Sequence, residues 1–173
     1  HKLNKDNFSI DVLIKKNSAQ EINLAMSHLI FIAHVYIGGG DKPQKILPEV
    51  IAKPWVKLSN YLGRPPILSY ASYCLDNWYK IDPKEPIALN NVALINNFLG
   101  GVDEDWFVTI HVCIEDAASE AIDAAYKLSF LNKDNNVSEF SIQLKRIISS
   151  LKNVNYIFSL MPEKCDPYVY YHR

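Results

Sequence analysis

A histidine and a glutamate with helical spacing form the first candidate for chemistry. His111 and Glu115 are four residues apart, so on a helix they share one face. An imidazole can act as a general acid or base, or make a polar contact inside a pocket, and a nearby carboxylate could orient its ring. The alternative is a core histidine that is hydrogen-bonded to a backbone carbonyl. Both interpretations are open on these residues alone.

Aromatic residues form the second candidate. Tyr70, Tyr73 and Cys74 have the spacing i, i+3 and i+4, which places them on one face of a helix. Phe107 precedes His111 by four residues. Such residues either form core or line a pocket for a planar ligand.

Other familiar sites are not indicated. His28 and His34 are six residues apart and do not share a helical face well, so no metal pair is predicted there. The sequence has no H-E-x-x-H, phosphate-loop, dinucleotide-binding glycine or G-x-S-x-G motif. The glycines at 38–40 lack the lysine of a phosphate loop, and we expect them to end a helix.

Composition narrows the class of protein. The 173 residues carry a formal net charge of −1, which argues against nucleic acid held by phosphate contacts. Hydrophobic residues make up 49%, enough for a core. Three separated cysteines form neither a disulfide framework nor a zinc site and suit a reducing compartment. The apolar stretch Leu29–Ile37 is too short for a membrane span, and the polar N-terminus is no signal peptide. We expect a soluble, cytoplasmic protein with no membrane partner.

The first half of the chain is predicted to hold two helices and a strand. Ser18 and Glu21 form a capping box, and the first helix runs from there to the glycines at 38–40. Five prolines in residues 41–66 predict loop and short turns. A second helix after Pro65-Pro66 carries Tyr70, Tyr73 and Cys74, and residues 92–98 form a short strand. Gly100-Gly101 is the predicted domain boundary.

The second half is predicted to be helical. Asp105 caps a long helix with the inner face Phe107, Ile110, His111, Ile114, Ala118, Ala121, Ala125 and Leu128. Residues 132–136 form a polar turn. Ser138 caps a further helix, limited by Pro162, with Leu144, Ile147, Ile148, Leu151, Val154 and Phe158 facing inward. Asp166-Pro167 begins a last helix, which is cut so soon after it starts that we expect the native chain to continue.

Three segments resemble the indoleamine 2,3-dioxygenase family. They are LPEVIAKPW at 47–55, SNYLGRPPILSYASYCLDNW at 59–78 and FVTIHVCIEDAASEAI at 107–122, followed by the D-P pair at 166–167. Their order and spacing match, and the Gly-Arg-Pro-Pro run is specific. The resemblance begins near residue 10 and covers the middle of the family's length, without its N-terminal stretch and its C-terminal half.

The resemblance implies a mainly α, haem-dioxygenase-like fold and an oxidoreductase of tryptophan catabolism in the kynurenine pathway. The expected reaction opens the indole ring of L-tryptophan, or of a related indole, with molecular oxygen and gives N-formylkynurenine. Residues 1–100 would belong to a small mixed N-terminal domain, and residues 101–173 would begin an all-α domain that holds haem b and its iron. Nothing in the resemblance fixes the oligomeric state.

The resemblance also implies roles for individual residues. His111 matches the distal, catalytic position, where animal members carry serine; a histidine there is more like tryptophan 2,3-dioxygenase. The implied substrate pocket is lined by Tyr70, Tyr73, Cys74, Phe107, Val108 and Tyr170. Of these, Tyr70 and Phe107, together with His111, would also lie beside the haem.

Two parts of the family's machinery are expected outside this chain. The proximal histidine, which binds the iron, lies beyond residue 173, so no metal ligand is assigned here. The arginine that binds the substrate carboxylate is expected about two residues later, or is Arg173 itself in a shifted register. Two alternatives are open. One is a haem enzyme of the same fold that acts on a tryptophan-derived intermediate of secondary metabolism. The other is a haem-free helical binding module.

Overall fold

The computed structural model describes residues 10–131 and 136–172. The helices are α1 Ile10–Lys16, α2 Ala19–Gly38, α3 Glu49–Leu62, α4 Val102–Ser129, α5 Val137–Ser159 and α6 Pro167–His172. Strands β1 Trp78–Lys80 and β2 Val92–Leu94 form an antiparallel pair. The predicted mainly α fold is confirmed. The chain divides into two compact units, one ending at Asn77 and one starting at Trp78. We call them unit 1 and unit 2.

Unit 1 is built on α2, whose predicted start and end are confirmed. The Ser18 hydroxyl accepts a hydrogen bond from the Glu21 N–H at 3.4 Å, and the helix ends at Gly38. The buried core of this unit consists of Ile22, Met26, Ile30 and Ala33 from α2 with Trp55 and Leu58 from α3. Helix α2 has the length and the apolar composition of a helix that could cross a bilayer. Core helices pass the same test, and α2 supplies most of this core.

Helix α3 lies where a loop was predicted, so that prediction is wrong. Pro54 stands inside the helix, where a proline removes a hydrogen bond and costs roughly 3 kcal/mol. Trp55 and Leu58 are 6% and 0% exposed, and burying one such side chain contributes about 1.5–3 kcal/mol. Burial therefore offsets the proline. Gly63, with φ 64°, ends α3 in the left-handed conformation that favours glycine.

The predicted second helix is replaced by a five-residue π-helical turn, Ala71–Leu75. The Arg64 guanidinium donates hydrogen bonds to the Asp76 carboxylate at 2.8 Å and to the Ser72 hydroxyl at 3.2 Å. From Trp78 the backbone pairs with β2 instead of continuing as a helix. Strand pairing and these side-chain bonds therefore stop the helix that the apolar spacing predicted.

Unit 2 contains the two long helices and α6, all three of which were predicted. The cap of α4 is Gly101, four residues before the predicted cap Asp105, and the cap of α5 is Asn136 instead of the predicted Ser138. The Asp166 cap of α6 is confirmed, because its carboxylate accepts the N–H groups of Tyr168 and Val169. Strand β2 is shorter than predicted. The predicted turn at 132–136 falls almost entirely outside the described residues, and Arg173 lies outside them as well.

The faces of the long helices differ from the prediction. On α5 the buried residues are Gln143 and Ser150, and the Ser150 hydroxyl donates to the Ala117 carbonyl of α4 at 2.7 Å. The predicted inward residues Leu144, Ile148, Leu151 and Phe158 are between 42% and 56% exposed. Polar contacts with α4, which apolar periodicity does not register, orient this helix.

Helix α4 has no single inner stripe. Its first half buries Trp106, Val108, Thr109, Ile110, Val112 and Cys113, because β2, α5, α6 and a 3₁₀ turn at Met161–Glu163 all contact it. Residues on both sides of Gly100-Gly101 belong to unit 2. The domain boundary predicted there from the two glycines, which the resemblance also implies, stays a prediction.

Candidate functional site

The candidate site of unit 2 starts at the first turn of α4, where Glu104 holds the preceding loop. Its carboxylate accepts hydrogen bonds from the backbone N–H groups of Phe98, Leu99 and Gly100 at 2.8, 3.0 and 2.9 Å. Glu104 is only 7% exposed. Gly100 and Gly101 have φ values of 71° and 104°, a backbone that favours glycine. The loop is thus fixed by both glycine geometry and one carboxylate.

The acidic residues on either side of Glu104 contact the same loop and the start of α6. The Asp105 carboxylate accepts from the Asn97 side-chain amide at 2.6 Å. The Asp103 carboxylate accepts from the Asp166 backbone N–H at 2.7 Å, at the start of α6. Negative charge at a helix N-terminus is also stabilised by the helix dipole. Three consecutive carboxylates therefore tie two segments, the loop at 97–100 and the start of α6, to the first turn of α4.

One turn further along α4, three rings form a cluster. The Phe107 and His111 ring centroids are 4.3 Å apart, and the Phe107 and Tyr170 centroids are 4.7 Å apart with an interplanar angle of 24°. We call Phe107, His111 and Tyr170 the ring cluster. These are three residues to which the resemblance gives a pocket role, and unit 2 brings them together.

A backbone bond fixes the His111 ring. Its Nδ1 lies 2.7 Å from the Phe107 carbonyl oxygen one turn earlier. A carbonyl only accepts, so Nδ1 carries the proton and the lone pair of the neutral ring is on Nε2. Nε2 is therefore suited to accept a hydrogen bond from a ligand N–H group. An imidazole fixed in this way is also suited to bind iron.

A small apolar core supports the ring cluster through Phe107. Trp106, Ile110 and Cys165 form a small buried core against which Phe107 packs. The Trp106 indole Nε1 donates to the Leu160 carbonyl at 3.0 Å, which ties the segment before α6 to α4. Val108, also predicted to line the pocket, is 0% exposed and belongs to the buried part of α4.

The remaining predicted pocket residues lie in unit 1. Tyr70 is 45% exposed and Cys74 is 0% exposed. Tyr73 is half-buried and stacks on Phe31, with ring centroids 6.1 Å apart. A shared pocket of these residues with the ring cluster stays a prediction.

The thiols of unit 2 are poor candidates for chemistry at neutral pH. Burial, and to a smaller degree the Asp116 carboxylate, raises the pKa of Cys113 from 9.0 to about 11. Burial, then the carboxylates of Asp103 and Asp166, raises the pKa of Cys165. Thiolates are the reactive form, so both side chains act as small apolar groups. In the described part of the chain no cysteine forms a disulfide.

Metal coordination by several side chains has no candidate in the described residues, where no group of three or more His, Cys, Asp or Glu could hold an ion. His34 resembles His111 in one respect: its Nδ1 bonds the Ile30 carbonyl one turn earlier, at 2.8 Å. Its ring packs edge-on against Trp55 in unit 1, at 5.8 Å. It belongs to that packing and was not predicted to be functional.

Sequence reasoning missed the residues that hold the ring cluster. Asp103, Glu104 and Trp106 were given no role, although three consecutive acidic residues shortly after two glycines are a signal for a helix start. Which segment each carboxylate contacts depends on residues far away in sequence, such as Asp166. That part could be found only from the structure.

Comparison with known proteins identifies the family of the chain. The sequence model of the family described as Indoleamine 2,3-dioxygenase matches residues 7–173. Indoleamine 2,3-dioxygenase 1 of Mus musculus is 36% identical over 150 residues, which are 87% of this chain and 37% of that protein. Indoleamine 2,3-dioxygenase of Saccharomyces cerevisiae is 29% identical over 161 residues, 89% of this chain and 36% of that protein. Indoleamine 2,3-dioxygenase acdA of Aspergillus candidus is 31% identical over 160 residues, which are 88% of this chain and 39% of that protein. The chain thus spans a little over a third of the length of these relatives.

Proposed function

This chain belongs to the indoleamine 2,3-dioxygenase family, and from that premise we propose that the protein is a haem-dependent dioxygenase. It opens the indole ring of L-tryptophan, or of a related indole, to an N-formylkynurenine-type product. The single observation that supports this most is the ring cluster, in which a histidine with a defined tautomer adjoins a stacked aromatic pair. The match to the family supplies the reaction class.

Phe107 and Tyr170 are proposed to orient the indole. Their stacked rings present a flat apolar surface, and an aromatic pair is worth about 0.5–1.5 kcal/mol beyond its area. Phe107 is half-buried, so a ligand that covers its remaining surface would displace water. The pair therefore binds and orients the ring without taking part in bond making.

His111 is proposed to accept a hydrogen bond from the indole N–H through Nε2. The Phe107 carbonyl holds the Nδ1 proton at 2.7 Å, so the tautomer is set before a ligand arrives. A serine side chain at this position would reach less far, and its rotatable hydroxyl would be a less directed acceptor. The contact aligns the indole relative to the ring cluster.

Haem b, when bound, would supply the activation of molecular oxygen and the redox chemistry. The half-buried rings of Phe107 and His111 are suited to contact the apolar part of a porphyrin. No axial ligand is proposed among residues 10–172. Because no cysteine forms a disulfide, a cytoplasmic location is proposed as well.

The test is product formation by the full-length protein, expressed with a haem precursor and supplied with oxygen. We expect L-tryptophan, or one of a series of substituted indoles, to yield an N-formylkynurenine-type product. Tryptophan methylated at the indole nitrogen, which lacks the indole N–H, is the matched probe for His111. This methylation should reduce kcat/KM in the wild type and have less effect in His111→Ala. Absence of product with every indole would refute the proposal.

The choice of indole is the second question that this experiment answers. The relative from Aspergillus candidus bears a name of its own, acdA, within the same family, and the resemblance implies that His111 stands where animal members carry serine. A tryptophan-derived intermediate of secondary metabolism is therefore the alternative substrate. The ratio of kcat/KM values for L-tryptophan and for substituted indoles identifies which one the pocket favours.

A further inference from the structure

Helix α6 supplies one residue of the ring cluster, Tyr170. This helix has six residues, and none of them is buried. A helix of that length is not stable on its own in water. Its Tyr170 nevertheless stacks on Phe107 in the ring cluster, so something other than a buried face must hold it there.

Among the contacts of α4 with α6 and its cap Asp166, two have the same spacing on both sides. The Asp103 carboxylate accepts the Asp166 N–H at 2.7 Å, and the ring of Phe107 meets the ring of Tyr170. Asp103 and Phe107 are four residues apart on α4, and Asp166 and Tyr170 are also four apart. Residues at that spacing share one helical face. The polar contact and the ring contact therefore lie one helical turn apart on the same side of α4, and together they fix the orientation of α6 on α4.

The polar contact at Asp166 is connected directly to the ring contact at Tyr170. The Asp166 carboxylate caps α6 by accepting the N–H groups of Tyr168 and Val169, at 2.8 and 3.3 Å. The Asp166 carbonyl accepts the Tyr170 N–H at 2.9 Å. A displacement of Asp166 would thus move the first turn of α6, and the Tyr170 ring with it.

We infer that Asp103 is a positioning residue, which holds Tyr170 on Phe107 and so sets the aromatic surface for a planar ligand. As far as the ligand is concerned, this inference rests on the proposed function. The positioning itself concerns only contacts within unit 2. Asp103 makes no contribution of its own to the reacting atoms; it acts through Tyr170.

Three substitutions in the full-length protein separate positioning from general effects. Asp103→Ala removes the acceptor, whereas Asp103→Asn keeps an acceptor oxygen and loses the charge. Asp105→Ala is the matched control, since it removes a charge from the same helical turn but contacts Asn97 and not α6. Thermal melting checks the fold of each variant; if Asp103→Ala fails to fold, Asp103→Ser takes its place.

The first readout needs no indole and is the nuclear Overhauser effect between isotope-labelled rings of Phe107 and Tyr170, recorded in the haem-free protein or, where haem is bound, in the diamagnetic, reduced carbon monoxide form. We expect the effect in the wild type, Asp103→Asn and Asp105→Ala, and its loss in Asp103→Ala. Persistence of the effect in Asp103→Ala would overturn the inference.

The second readout is the Kd for indole, which has no carboxylate or amine to mask the ring contact. Asp103→Ala should weaken binding about three- to tenfold, the range expected for losing one aromatic pair, and the other two variants less than twofold. In a Tyr170→Leu background, Asp103→Ala should add less than twofold, because the two residues act together. An equal effect in both backgrounds would contradict action through Tyr170.

The two readouts also distinguish this inference from the proposed function. If the ring contact depends on Asp103 but the wild type binds no indole, the proposed function fails and the positioning is supported. If indole binds and the ring contact is independent of Asp103, the proposed function is supported and the positioning fails.

Discussion

Substitution of Glu104 probes how firmly the loop before α4 is held. The wild-type carboxylate accepts three backbone N–H groups: Phe98 N–H bonds Oε1, and the N–H groups of Leu99 and Gly100 bond Oε2. Glutamine has one acceptor oxygen. In its better orientation that oxygen takes the Oε2 position and keeps two of the bonds, and the side-chain NH₂ then faces the Phe98 N–H, donor against donor.

The expected cost follows from these contacts. A hydrogen bond to a charged group is worth about 1.5–3 kcal/mol, and a buried donor without a partner costs about 1–3 kcal/mol. Leu99 is 64% exposed, so water can replace part of what is lost at its N–H. We expect Glu104→Gln to lower the free energy of unfolding by about 1–2 kcal/mol and Glu104→Ala by about 2–4 kcal/mol.

Urea unfolding at pH 7, monitored by circular dichroism, measures these differences in the free energy of unfolding. In thermal unfolding, the melting temperature of the glutamine variant should be lower by about 2–8 °C, using roughly 2–4 °C per kcal/mol for a chain of this size. Asp105→Asn is the control, because it removes a charge from the same helix start and leaves the three N–H bonds intact. Values within about 0.5 kcal/mol of the wild type for both Glu104 variants would refute the role assigned to this carboxylate.

Three further predictions concern α4 and α3. His111→Ala should lower turnover of the indole substrate about tenfold, the value of one hydrogen bond, with haem content unchanged; loss of haem would make His111 an axial ligand instead. The pKa of Cys113 is about 11 when folded and 9.0 ordinarily, so the unfolded chain loses this proton first and stability should fall as pH rises from 9 to 11. Unfolding of Cys113→Ala across that range should show a smaller fall, and an identical fall would contradict the assignment. Pro54→Ala should raise the melting temperature, because alanine restores the helical hydrogen bond that proline removes; a lower melting temperature would show that the ring contributes packing that outweighs the bond.

Local signals predicted the helices well where the deciding contacts are local. Ser18 and Asp166 were identified as helix caps from their own and neighbouring residues, and both cap as expected. The π-helical turn and α3 were mispredicted because their stability depends on distant partners. Pro54 was weighed by its local cost, whereas burial of Trp55 against α2 decides the outcome.

The candidate site shows the same division. The contact of Phe107 with His111 is an i, i+4 pair on one helix, and sequence spacing was sufficient to find it. The contact of Phe107 with Tyr170 joins segments 63 residues apart, as does the bond between Asp103 and Asp166. For Tyr170 only the resemblance gave a pocket role, and for Asp103 nothing did.

The central claim is that the ring cluster belongs to a haem enzyme, and an absorption spectrum tests it most directly. The full-length protein, purified after expression with a haem precursor, is reduced and exposed to carbon monoxide, with and without added L-tryptophan or indole. We predict a haem–carbon monoxide band that is perturbed by the added indole compound and is less perturbed in His111→Ala. A colourless protein that folds normally would contradict the claim and would leave the haem-free binding module as the function.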